Sequence, residues 1–227
     1  MLTIHAAPLV LPVGAAAVAD GAVAVDGDRI AALGPYEEVA AARPAARVRR
    51  WPGVLVPGLR QDHARELLTR CYHPDPREAD ELGELPLWGE EFERIAATMD
   101  ATRRAGSVRR GLQRMLRHGT THVAGPFAAD DPALRTAIAR SGLVRTEGSA
   151  RTHGVARTQG RPGGGPPDLD PLAAGGGPAR AAHGPLTVGG RADFAVLDVP
   201  DEAALYGEGL RRCVATVLAG RLVHRAR

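Results

Sequence analysis

Short segments that alternate apolar and polar residues occupy both ends of the chain, and neither set is long enough to bury two faces alone. At the N-terminal end, Leu2-Thr3-Ile4-His5-Ala6 reads as a half-buried strand. Gly21–Val25 and Arg29–Gly34 read as a hairpin about Asp26-Gly27-Asp28, where glycine supplies a positive φ. Pro35 opens a short helix, and Arg47–Trp51 is a further strand. At the C-terminal end, Pro185–Asp198 reads as a turn and a strand, and Val214–Val223 as two strands about Ala219-Gly220. Each set lacks a partner sheet. The economical solution is one β-sandwich composed from both ends, residues 1–56 and 186–227, with the middle inserted between them.

The middle changes period. Phe92, Ile95, Ala96 and Met99 fall on one helical face; Gly106 is a natural stop, and Ser107 a cap for a second helix carrying Val108, Leu112, Met115 and Leu116. Thr120–Ala124 is a β-branched strand. Asp131 caps a third helix with Pro132 at its first position and Gly142 beyond its end, and Leu143–Thr146 is a strand. Helix and strand alternate as in α/β units, so residues 57–148 form a reduced βα insert and the fold class is α+β. Residues 149–185, with Gly163-Gly164-Gly165 and Gly175-Gly176-Gly177, read as a flexible Gly/Pro-rich linker.

Composition excludes several functions. All 29 basic residues are arginine, so no mechanism that needs a lysine is open to this chain. Net charge is only +3, aromatic content 4%, and no nucleic-acid motif is visible, so nucleic acid is not an expected partner. No run approaches the ~18 apolar residues of a membrane helix, and Pro8, Pro12 and Gly14 interrupt the apolar start, so a cytoplasmic protein without membrane contact is expected. Cys71 and Cys213 are too far apart for a metal pair and are expected as buried thiols. The glycine triplets are not phosphate loops, and no Gly-x-Ser-x-Gly elbow occurs.

Chemistry, if present, belongs where Val54-Leu55-Val56 runs through Pro57-Gly58 into Leu59-Arg60-Gln61-Asp62-His63-Ala64-Arg65, a strand end that delivers a histidine. The segments "DGDRIAALGP", "WPGVLVPGL", "LRHGTTHVAG" and "LTVGGRADFAVLD…VATVLAGRLV", in that order, resemble the amidohydrolase superfamily, in the style of imidazolonepropionase and aminodeoxyfutalosine deaminase. The resemblance implies a composite β-sandwich carrying a (β/α)8 barrel, and a mononuclear zinc or iron enzyme that hydrolyses carbon–nitrogen bonds of cyclic amides or amidines. His63 falls on the first histidine of the family's His-x-His motif, and Arg65 on the second. Guanidinium offers no lone pair, and its charge repels a dication. A complete barrel needs ~250 residues, ~200 at least. The stretch between Leu59 and Leu186 is far shorter, and supplies no match to the later metal ligands.

Two expectations follow. The first is a degenerate amidohydrolase-like protein without cofactor or metal, acting as a binding, regulatory or assembly module on an unknown small molecule. The second is a metal-dependent C–N hydrolase built on His63, His73 and Asp75. His73 and Asp75 lie in Cys71–Glu81; the plainer account of that segment is a short helix begun by Pro76 and capped by Asp75. His118 and His122 share helical spacing, but Gly119 breaks the helix and His122 falls in a strand. Asp193 matches a family aspartate and is assigned a structural role. An incomplete barrel leaves strand edges open, so a homodimer is expected.

Overall fold

The computed structural model describes residues 2–127, 131–146, 167–207 and 211–226. The first strands are β1 (Thr3–Val10), β2 (Val18–Asp26) and β3 (Arg29–Pro35), followed by α1 (Tyr36–Ala41), β4 (Arg47–Arg50), β5 (Val54–Pro57) and β6 (Leu59–Gln61). Then come α2 (Ala64–Thr69), β7 (Cys71–Tyr72), a 3-10 turn (Pro76–Glu78), α3 (Ala79–Leu82), β8 (Leu87–Trp88), α4 (Glu90–Ala96) and α5 (Ala101–Arg117). β9 (Thr120–Ala124), α6 (Pro132–Ser141), β10 (Val144–Thr146) and α7 (Gly177–Ala181) lead to β11 (Phe194–Asp198), β12 (Arg212–Leu218) and β13 (Arg221–Arg225). The class is mixed α+β, with seven α-helices and an eight-stranded sheet among the described residues. Two compact units result: Met1–Gln61, Met115–His122 and Asp170–Arg227 form one, Asp62–Arg114 and Val123–Leu169 the other.

The first unit is built on the large sheet, in the order β13-β12-β11-β5-β1-β2-β3, with β4 also on β1. Strands from the two chain ends meet at β5, which pairs parallel to β1 through Leu9 and Val54 and antiparallel to β11 through Pro57 and Phe194. Alternation sends successive side chains to opposite faces. Leu55, Phe194, Val196, Val23 and Val25 enter one core, which runs across both halves of the sheet. Val54, Val56, Ala195 and Leu197 enter a second core; Ile4, Ala6, Ala22 and Ala24 pack with Val39 of α1 in a third. Each large apolar side chain so buried contributes about 1.5–3 kcal/mol.

The shared core closes because the far ends of the sheet touch. Ile30 N–H donates to the Gly190 carbonyl and Ala192 N–H to that of Asp28, at 2.9 and 2.8 Å. The β12–β13 turn sits so close to the β2–β3 turn that a Cβ on Gly220 would lie 2.0 Å from the Gly27 carbonyl. Inside, the Trp51 indole N–H donates to His5 Nδ1 at 3.1 Å, and the Phe194 ring meets His5 edge-on at 4.9 Å. An indole nitrogen only donates, so His5 Nδ1 must keep its lone pair. Burial, aided by the Arg49 charge, lowers the His5 pKa to about 4.

Residues 149–166 of the expected linker lie outside the described residues. Residues 170–185 join the first unit: Leu172 and Ala181 are buried in the second core, Arg211 pairs with Asp170 at 3.3 Å, and His183 N–H donates to the Gly58 carbonyl at 3.1 Å. Gly175, Gly176 and Gly177 adopt φ of 74°, 78° and 58°, so the triplet serves as a tight left-handed run. Gly177 also lets the Tyr206 ring approach to where a Cβ would stand 2.4 Å away.

In the second unit, Tyr72, Phe92 and Ile95 form a small core beneath the β7–β8 pair. The helix break placed at Gly106 is absent, because α5 runs through it. Ser107 is buried inside that helix and accepts from the His73 backbone N–H at 2.9 Å, while Asp100 caps the helix start through Arg103 N–H at 2.7 Å. α6 begins and ends where its cap residues place it, with Asp131 accepting from Leu134 N–H and Gly142 at φ 80°. No described helix is long and apolar enough to cross a membrane.

Candidate functional site

Each residue expected at a site has a defined place. His63 is half-buried and precedes α2, its carbonyl accepting from Leu67 N–H at 3.0 Å. Arg65 is exposed on the first turn of that helix. His73 is wholly buried: its Nε2 lies 2.8 Å from the Leu67 carbonyl, which only accepts, so Nε2 carries the proton. Its Nδ1 has no hydrogen-bond partner among the described residues, and a Cβ on Gly111 would sit 2.7 Å from the ring. Burial lowers the His73 pKa to about 4.

Asp75 caps the 3-10 turn, accepting from Arg77 N–H, while Glu78 accepts from Asp75 N–H to complete a capping box. Arg110 pairs with Asp75 at 3.0 Å. Glu78 is only partly solvated, for it accepts from the Tyr72 hydroxyl at 2.6 Å and pairs with Arg103 at 2.8 Å. Against the cost of burial, these bonds hold its carboxyl below the usual range.

A polar cluster that the sequence does not announce lies in the first unit. Gly58 N–H donates to the Asp193 carbonyl at 2.9 Å, and a Cβ on Gly58 would meet Thr121 Oγ1 at 2.0 Å. Thr121 Oγ1 lies 2.8 Å from His122 Nδ1, and the ring of exposed His183 stacks on buried His122 at 3.8 Å. Burial, then the charges of its neighbours, lowers the His122 pKa to about 3. His122 is therefore neutral, and its 3.9 Å approach to Asp193 is a dipolar contact beyond hydrogen-bond reach. Asp193 instead binds Arg191 at 3.1 Å and accepts from Ala219 N–H at 2.6 Å. Burial raises its pKa despite those partners. The cluster ties β5, β9, β11 and the β12–β13 turn together without a hydrogen-bonded acid–histidine pair. His183 is outside every motif, and only its place after α7 brings it here.

Residues 21–42, covering most of the β2–β3 hairpin and α1, match the family model for the bacterial imidazolonepropionase-like composite domain. Over those residues the chain is similar to an imidazolonepropionase-like composite domain. Solved structures match parts of the chain at low identity. Guanine deaminase from Bradyrhizobium japonicum matches at 18% identity and TM-score 0.45, covering 65% of this chain and 34% of its own. Ochratoxinase from A. niger matches at 19% and 0.44, with coverages of 64% and 31%. Aminofutalosine deaminase from Helicobacter pylori, in complex with methylthio-coformycin, matches at 14% and 0.42, with coverages of 64% and 34%. This chain thus spans about a third of the length of those structures. No curated protein matches it.

Among the described residues, the donor set at the expected site does not fit a catalytic zinc. Such a site takes three protein ligands and leaves a fourth position open for water. Among the described residues no group of three or more His, Cys, Asp or Glu side chains is gathered to hold a metal ion. His73 offers one lone pair, Asp75 is committed to a cap and to Arg110, and Arg65 can donate no electron pair.

Proposed function

We propose that this chain is a degenerate amidohydrolase-like protein that acts by binding, regulation or assembly instead of hydrolysis. The observation that carries the proposal is the state of His73: fully buried, with Nε2 held by the Leu67 carbonyl and the ring against Gly111. A ligand needs an accessible lone pair beside others, and this ring is packed as a core residue. Arg65, which falls on the second histidine of the family motif, supplies a fixed positive charge, and Asp75, outside that motif, supplies a helix cap. Elemental analysis of protein purified without chelators tests the reading. Less than one-tenth equivalent of metal, and no thermal shift on adding zinc, is the expected result. Stoichiometric zinc or iron that disappears in His63→Ala overturns it in favour of a C–N hydrolase. Homodimer formation belongs to the same reading, since an incomplete barrel leaves strand edges that need covering. A strictly monomeric mass at micromolar concentration would remove that part.

A further inference from the structure

A cavity of about 560 Å³ opens within the second unit, between α2, α5 and α6. That size suits a small organic ligand. Its wall is apolar where Val108 and Leu134 are buried and Phe127 half-buried. Two arginines, Arg65 of α2 and Arg104 of α5, line it from the exposed side.

Their neighbours on α5 show what is unusual about them. Arg103 is neutralised by Glu78 and Arg110 by Asp75. Among the described residues, no side-chain hydrogen bond or ion pair engages Arg65 or Arg104. Among the described residues, the one carboxylate in the lining is Asp131, whose Oδ1 is committed to Leu134 N–H at the start of α6. Among the described lining residues, two guanidiniums against one carboxylate leave a single excess positive charge.

We propose that this cavity binds a small organic monocarboxylate, its head held by Arg65 and Arg104 and its apolar body laid on Val108, Phe127 and Leu134. The planar guanidinium fork matches a carboxylate in two parallel hydrogen bonds. One excess charge suits a monoanion better than a dianion, and the apolar wall requires a hydrocarbon body. The proposal goes beyond the functional reading above, since a hydrolase could carry the same pocket, and metal analysis and ligand titration fail separately.

Isothermal titration of the full chain with 4-phenylbutyrate and octanoate, beside 4-phenylbutanol and octanol, tests it. The expected result is 1:1 binding of an acid at least about tenfold tighter than its alcohol. Arg65→Gln and Arg104→Gln each weaken the acid several-fold and leave the alcohol unchanged. Asp131→Asn, which keeps a capping side chain, tightens the acid alone. Both arginines are exposed, so the variants keep the fold, which circular dichroism verifies. Equal affinity for acid and alcohol, unchanged affinity in the double arginine variant, or no saturable binding of either acid overturns the proposal. Inorganic phosphate binding as tightly as the acids overturns the choice of a monocarboxylate.

Discussion

Asp193 sets two forces against each other, and isosteric substitution separates them. Its carboxylate is only 6% exposed, pairs with Arg191 and accepts from Ala219 N–H. If the ion pair dominated, removing the charge would destabilise the protein. Burial instead raises the Asp193 pKa over the combined pull of Ala219 and Arg191. A carboxyl whose folded pKa exceeds its unfolded value stabilises most at low pH, and that contribution is lost as pH rises through the folded pKa. At pH 7 the charge therefore costs stability. Asp193→Asn retains an acceptor for Ala219 and loses the charge, while Arg191, 38% exposed, can turn to water. It is expected to be no less stable than the parent at pH 7, and its advantage should vanish below about pH 4, where both aspartate forms are protonated.

Asp193→Ala removes the acceptor as well. A hydrogen bond to a charged group is worth about 1.5–3 kcal/mol, so a loss of about 2 kcal/mol is expected. At roughly 2–4 °C per kcal/mol for a chain of this size, the melting temperature should fall by about 4–8 °C. Ala219, at φ 49°, loses the bond that holds the turn, so its amide should exchange faster in Ala but not in Asn. Urea titration and amide hydrogen exchange measure these effects. Equal destabilisation by Asn and Ala at pH 7 would refute the dominance of burial. Unchanged protection of the Ala219 amide in the Ala variant would refute the role of the hydrogen bond.

Other outcomes follow from buried groups. His5 and His73 have folded pKa values near 4, below 6.5, so the stability they confer is full above pH 6.5 and is lost as pH falls towards 4. A shift of that size is worth a few kcal/mol, so denaturation at pH 4.5 should show a loss on the order of 2–3 kcal/mol per histidine, and His5→Gln should flatten the profile. Gly111→Ala improves helix propensity by about 1 kcal/mol yet should destabilise, because the new methyl meets the His73 ring at 2.7 Å; pairing it with His73→Ala should recover stability in thermal melts. Tyr72→Phe removes the hydroxyl shared by Glu78 and Arg103 and should cost about 1–2 kcal/mol by urea titration, most of it absent in Glu78→Gln.

Local chemistry made the sheet legible. Gly27 in its turn, Pro132 and Gly142 about α6, and the Val54–Val56 run each imply one backbone path, and the structure follows them. Propensity failed where distant contacts decide. Gly106 and Ser107 look like a stop and a cap, but Ser107 has a better use as an acceptor for His73, and the helix continues. Glycine-rich composition hid the order in residues 170–185, because Leu172 and Ala181 gain a core only when β5 and β11 are already beneath them. The candidate residues were legible as types; their engagement was not. His73 is decided by Leu67 and Gly111, and the His122–His183 stack by a chain return that no spacing encodes.

The position of β5 at the seam has a consequence during translation. Its edge towards β1 is satisfied by residues already made, whereas the edge that receives β11 must wait until Phe194–Asp198 leave the ribosome. Until then Val54–Pro57 presents an open apolar strand to every other nascent chain nearby. Non-local pairing of this kind is slow to form and prone to misassembly. The yield of folded protein is therefore expected to depend on the delay between β5 and β11, and added chaperone capacity should raise it.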